Sequence, residues 1–110
     1  MGDPRLLSRL QALLDAPPEG ETAPSLAHLE DSLTDGYALA LALEAERARV
    51  ARHIGELAAR AGDDAEEKTR ELTSLSHRLA GAESELASLR PTLTALRRRA
   101  TALRTAAVVG

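Results

Sequence analysis

The chain has 110 residues, enough for one domain, and Ala and Leu together supply 42 of them. It has no Phe, Trp or Cys and only four Val or Ile residues, which excludes an all-β fold and a disulfide framework. The net charge of −3 argues against a protein that binds polyanions through its whole surface.

Residues 1–15 predict a short amphipathic helix. Asp3 is a favourable N-cap, and Pro4 suits the first helical position. The leucines follow at helical spacing: Leu6, Leu7, Leu10, Leu13 and Leu14. Two prolines cannot continue the helix, so residues 16–24 are interpreted as a Pro-rich linker. A helix of about 12 residues is not stable alone, so it must dock or stay partly frayed.

Ser25 is the predicted cap of a second helix with a seven-residue apolar repeat. The apolar members of the repeat are Leu26, Leu29, Leu33, Leu43, Val50, Ile54 and Leu57. Gly36 and Arg47 fall on the same two heptad positions and interrupt the pattern. The helix should end near Ala61, with Gly62 as its left-handed cap.

A third helix is predicted to start after Asp63, which can form a capping box with Glu66. Ten core positions follow at spacings of three and four: Leu72, Leu75, Leu79, Ala82, Leu86, Leu89, Leu93, Leu96, Ala100 and Leu103. Such a run is typical of a coiled coil. Pro91 lies within it at an outward position and does not shift its phase. We therefore favour one helix, bent at Pro91, over a break.

Because only one to three residues join the last two helices, they must run antiparallel. The sequence thus predicts an all-α fold, an antiparallel coiled-coil helical hairpin over residues 25–107 with its turn near 61–63, preceded by the short helix. A Leu and Ala seam is a modest core for this length. Either the first helix folds back as a third helix, or a second hairpin docks to make a four-helix bundle as a dimer.

Two surfaces are candidates for helix packing. An apolar strip flanks the seam of the second helix, and small residues occupy the outer positions of the third. The candidate packing residues are Tyr37, Leu39, Leu41, Ala80, Gly81, Ala87 and Ser88. The small residues are also compatible with a simple solvated surface.

The last 20 residues contain four Arg and no acid. The candidate partner-binding residues are Arg90, Arg97, Arg98, Arg99 and Arg104. Arg can hold carboxylate or phosphate with two hydrogen bonds, so an acidic protein surface, or a nucleic acid or nucleotide, could bind here. Compensation of the helix dipole explains the same cluster without a partner.

Arg47 is predicted to face the seam. A charged residue at such a position usually fixes register or partner number at a cost in stability. In an antiparallel hairpin, Glu83 and Glu85 are its candidate ion-pair partners. A binding role for Arg47 is the alternative.

The sequence offers little for catalysis. No phosphate-binding loop, metalloprotease motif or nucleophile elbow occurs, and no Glu-x-x-His motif of the kind found in di-iron bundles. We therefore expect no enzyme activity, no metal and no cofactor. No apolar run approaches the roughly 20 residues that span a membrane, and we see no signal peptide, so the expected location is the cytoplasm.

The stretch from Leu33 to Arg47, LTDGYALALALEAER, resembles small helical-hairpin proteins of high-GC bacteria. Carried by these 15 of the 110 residues, the resemblance implies a helical hairpin without implying a function. Anti-sigma factors of such bacteria that respond to second messengers also use helical hairpins. Their nucleotide-binding repeat, Glu-x3-Ser-x2-Arg-x3-Gln-x3-Asp, is absent here.

Together these features predict a non-enzymatic protein–protein interaction module. It would be a small cytoplasmic adaptor, regulator or self-assembling scaffold, with a second copy of itself as the first partner to consider. The alternative is binding of nucleic acid or a nucleotide through the Arg-rich end, although no aromatic residue accompanies the Arg cluster for base stacking.

Overall fold

The computed structural model describes residues 4–60, 62 and 64–109. They form three α-helices: α1 Pro4–Asp15, α2 Leu26–Ala59 and α3 Ala65–Val109. No strand occurs among these residues. The predicted all-α fold is therefore confirmed.

The two long helices, α2 and α3, form an antiparallel hairpin, and the molecule as a whole has extents of 69 × 21 × 16 Å. Three ion pairs join them: Arg78 to Glu46, Arg90 to Glu44, and Arg104 to Glu30. The residue numbers rise on one helix as they fall on the other, as the short connection requires. We call the end that holds the connection the turn end and the opposite one the open end.

The ends of α2 follow from local hydrogen bonding. Ser25 is the N-cap, as predicted, and its side chain accepts a hydrogen bond from the His28 backbone N–H at 3.1 Å. The helix ends at Ala59, two residues before the predicted end, because Arg60 is already extended. Gly62 does have a positive φ of 83°, but it lies within the turn and not directly after the helix.

The turn end is held by polar contacts from the start of α3. The predicted cap Asp63 lies outside the described residues, and the carboxylate of Asp64 accepts the Glu66 backbone N–H at 2.9 Å. The ammonium of Lys68 donates to the backbone carbonyl of Arg60 at 2.6 Å. These bonds serve groups that a helix terminus leaves without a partner.

The third helix is continuous through Pro91, which confirms the prediction of one helix. Pro91 is exposed, while Leu89 and Leu93 beside it are buried. The proline ring therefore meets solvent, and the packing of its neighbours holds the helix together where one backbone hydrogen bond is missing.

The first helix folds back into the groove on one side of the α2–α3 pair. Leu10 is fully buried there. At Gly36 a Cβ would overlap the Leu93 side chain and lie 3.3 Å from Leu10 Cδ1. Because glycine has no side chain, the three helices can approach one another closely at this position. The interruption of the heptad pattern is thus the site where α1 docks.

The core has two parts of unequal thickness. At the open end, α1, α2 and α3 share a large apolar cluster that includes Leu10, Leu43 and Leu96. At the turn end only α2 and α3 remain, and the cluster shrinks to Val50, Leu57 and Leu75, with neighbours that are only partly buried. The molecule is therefore a three-helix bundle that continues as a two-helix arm.

The predicted seam of α2 is wrong by one residue in its middle. The buried positions are Leu39 and Glu46, whereas Ala40 and Arg47, which the strict heptad places in the seam, are only half-buried. A straight α-helix has 3.6 residues per turn, so its contact line drifts by about 20° per heptad. In addition, α1 packs on the side to which Leu39 points. The buried charge is thus Glu46, and Arg47 has no ion pair with Glu83, Glu85 or any other described residue.

Candidate functional site

Arg99 of the predicted partner-binding cluster serves the fold. Its guanidinium is partly buried and donates to the backbone carbonyls of Leu13 and, at 2.7 Å, of Ala16. These carbonyls lie at the C-terminal end of α1, where no intrahelical donor remains and where the helix dipole favours a cation. Arg99 therefore fastens α1 to α3. The contact joins residues more than 80 positions apart, and no sequence pattern indicates it.

Two further arginines of the cluster are used between the long helices. Arg90 lies 2.8 Å from Glu44, and the side-chain atoms of Arg104 lie 3.1 Å from Glu30. Both pairs are exposed, so each contributes little to stability. Their main effect here is to neutralise the charges along one side of the hairpin.

Arg97 and Arg98 remain available. Both are exposed, and neither has a hydrogen bond or an ion pair with any residue that the structure describes. The structure thus reduces the five-residue cluster to two neighbouring arginines that have no acceptor of their own.

The predicted apolar strip on α2 is split between two sides of the helix. Leu39 is buried in the cluster that includes α1, so it packs within the chain and is not part of the exposed strip. Tyr37 and Leu41 stay exposed, at 40% and 68%. Two residues along an α-helix are about 200° apart, so Tyr37 and Leu41 point away from the side that Leu39 and α1 share.

We call the side of the hairpin opposite α1 the uncovered face. A groove of about 340 Å³ marks it at the open end, and its lining comes from α2 and α3 alone, with Tyr37 and Thr34 across from Arg97 and Thr101. On α2, buried residues recur at seven-residue steps from Gly36 to Leu57, and on α3 the buried and partly buried leucines keep spacings of three, four or seven. Seven-residue steps therefore stay on one side of each helix here. The face therefore continues through Leu41 and Ala48 on α2, and through Ala80, Glu83, Ala87, Arg90 and Thr94 on α3.

The predicted small packing residues of α3 divide around this face. Ala80 and Ala87 belong to it, since they precede Thr101 by multiples of seven. Gly81 and Ser88 are exposed too, but each lies about 100° further around the helix and therefore off this face. Small side chains here leave the backbone of α3 open to close approach by another helix.

The buried carboxylate of Glu46 is the one acid among the described residues whose pKa is shifted from its ordinary value. It lies 2.5 Å from the Arg78 guanidinium and 2.6 Å from that of Arg49. The hydrogen bond from Arg78, followed by that from Arg49, lowers the pKa of Glu46 below its ordinary value of 4.5, against an opposing effect of burial. The cluster bridges α2 and α3 and has the character of a structural ion pair.

The lowered pKa of Glu46 makes stability depend on acid. A carboxyl whose folded pKa is lowered stabilises the fold at pH values above its unfolded pKa and loses that contribution as the pH falls below it. We expect the melting temperature to fall as the pH is lowered from 7 to below 4.5, and Glu46→Gln to flatten this fall. Circular dichroism melts between pH 3 and pH 7 measure both, with Glu44→Gln at an exposed pair as the control. Equal slopes for Glu46→Gln and the wild type would contradict the assignment.

The described residues hold no arrangement suited to metal chemistry. No three His, Asp or Glu side chains among them lie close enough together to bind an ion.

An apolar groove of about 350 Å³ lies between the linker and the last turns of α3, with Pro18, Pro24 and Leu103 in its walls. Within the part of the chain that the structure describes, no helix has an apolar segment long enough to cross a membrane.

Comparison of the chain with protein-family models, with curated proteins and with solved structures gave no match. The geometry of the uncovered face is therefore the basis for a functional proposal.

Proposed function

We propose that this chain is a non-enzymatic protein–protein interaction module that binds a second copy of itself through the uncovered face. The observation that carries the proposal is the exposure of Leu41 and Tyr37 on a side of the hairpin where most charges are already paired. A large apolar side chain on a face with few free charges is typical of an interaction site. In the cell this module would be a small cytoplasmic adaptor, regulator or scaffold.

The thin core of the two-helix arm supports self-association. Ile54, Leu72 and Leu79 are only partly buried there, because α1 covers the open end alone. A second hairpin would bury more of this apolar surface and turn each pair of helices into part of a four-helix bundle. We propose coiled-coil packing for the α2–α3 seam as well, on the basis of the three- and four-residue spacing of the buried positions in α3.

Binding of nucleic acid has less support. Arg90, Arg99 and Arg104 already contact acceptors within the chain. The single aromatic residue, Tyr37, is a weak basis for base stacking. Fewer arginines are thus free to bind a polyanion than the sequence indicates.

Self-association is tested with Leu41→Lys, which places a charge in the middle of the uncovered face without touching the core. We expect the wild type to reach twice the chain mass of 11.7 kDa at tens of micromolar, and the variant to need a concentration higher by roughly tenfold or more. Size exclusion with light scattering measures the mass.

The matched control is Val108→Lys, which replaces another exposed apolar residue near the end of α3. This variant should self-associate as the wild type does. A wild-type mass of 11.7 kDa at every concentration would contradict the proposal, and so would equal behaviour of the two lysine variants.

A further inference from the structure

The uncovered face carries one acidic and one basic side chain that have no counter-ion among the described residues. Glu83 and Arg97 have no ion pair or hydrogen bond with a described residue. They lie on the same side of α3, each seven residues from Arg90, which is about 10 Å along the helix. A negative and a positive charge thus lie at equal distances on either side of Arg90.

This spacing is self-complementary under a two-fold rotation. If a second copy stacks on the face in the antiparallel direction with the axis beside Arg90, each Glu83 meets the partner's Arg97. A symmetric dimer makes every such contact twice, so both free charges of both copies gain a counter-ion. We propose this antiparallel, face-to-face dimer as the form in which the module binds itself. The inference rests on the proposed function and names its geometry.

The same rotation brings large side chains against small ones. The pairs Glu44–Arg90 and Glu30–Arg104 show which residues of α2 and α3 lie at the same height along the hairpin. Since Glu44 is level with Arg90, it also lies at the axis. Leu41, three residues before Glu44, then lies within one residue of the level of the partner's Ala48. On α3, Ala87 lies within one residue of the level of the partner's Thr94. The exposed Leu41 therefore meets a small residue that leaves room for it, as a closely packed interface requires.

The groups at the axis are compatible with this arrangement. Two Arg90 side chains approach each other there, but each already lies 2.8 Å from its own Glu44 carboxylate. The axis is thus surrounded by two neutral pairs, which can exchange partners across the dimer. Like charges that were unpaired at this place would oppose association.

A parallel dimer on the same face satisfies the charges less well. With the axis along the rod, α2 of one copy lies over α3 of the other at the same level. Arg97 then faces the partner's Tyr37, and Glu83 faces the partner's Ala51, so neither gains a counter-ion. Charge complementarity therefore favours the antiparallel form over the parallel one.

The test exchanges the two charges. We expect Glu83→Arg and Arg97→Glu, each alone, to weaken self-association roughly tenfold or more at low salt, because each places like charges together at both ends of the dimer. An equal mixture of the two variants should associate as tightly as the wild type, since every contact then joins an Arg and a Glu. The chain with both substitutions should also recover. Sedimentation equilibrium measures the dissociation constants of the wild type, the two single variants, their mixture and the double variant, and melting curves verify that each variant is folded.

The outcomes separate the register from the proposed function. Arg98→Glu, next to Arg97 but off the face, should leave self-association unchanged. One contradicting result is a mixture that associates no better than either variant alone while Leu41→Lys still disrupts self-association. In that case the antiparallel register is wrong, but the uncovered face is still the interaction surface. If the wild type stays monomeric, the proposed self-association fails together with this geometry.

Discussion

Gly36→Leu should lower the free energy of unfolding by about 1–3 kcal/mol and loosen α1 from the hairpin. The notch at Gly36 is filled by Leu10 and Leu93, and even a single Cβ would overlap the Leu93 side chain. Leucine normally favours a helix over glycine by nearly 1 kcal/mol, so the steric effect must exceed that gain. Urea unfolding followed by circular dichroism measures the difference.

Gly81→Leu is the control for this substitution. Gly81 is also within a helix, but nothing lies within 4 Å of the place its Cβ would take. There the gain in helix propensity acts alone, and stability should rise by up to about 1 kcal/mol. If both leucine variants shift stability in the same direction, Gly36 does not form the docking notch that the structure shows.

Leu10→Ala should lower the free energy of unfolding by about 2–5 kcal/mol, the range for a fully buried leucine. Leu10 joins α1 to both long helices, and α1 is too short to stay helical without them. Cleavage within the linker, residues 16–24, should therefore become faster under limited proteolysis. The arm at the turn end should keep its helices, because α1 does not reach it.

Leu7→Ala tests whether the effect depends on burial. Leu7 lies in the same helix but is only partly buried against the core. Its truncation should cost less than half as much as that of Leu10, since less contact is lost. Equal losses of stability would mean that helix propensity and not docking sets the effect of both substitutions.

Much of the fold could be predicted because its determinants are local. The three- and four-residue spacing of leucines placed α3 in one helix through Pro91, and the Ser25 cap marked the start of α2. Both signals act within a few turns of a helix. The candidate site was less predictable. Tyr37 and Leu41 were recognised as one apolar strip with Leu39, and only the position of α1 showed that Leu39 belongs to the core.

The sequence by itself determined the helices and their antiparallel pairing, because apolar periodicity and a short connection leave few other ways to bury the leucines. The tertiary structure alone decided which charges are free. Arg99 meets the carbonyls of α1, and Glu46 replaces Arg47 in the seam, through contacts between residues far apart in the chain. Such contacts depend on the side on which α1 packs and on a rotation of α2 by a fraction of a turn. The order of residue types along the chain indicates neither of these, since both depend on how α1 packs in the groove between α2 and α3.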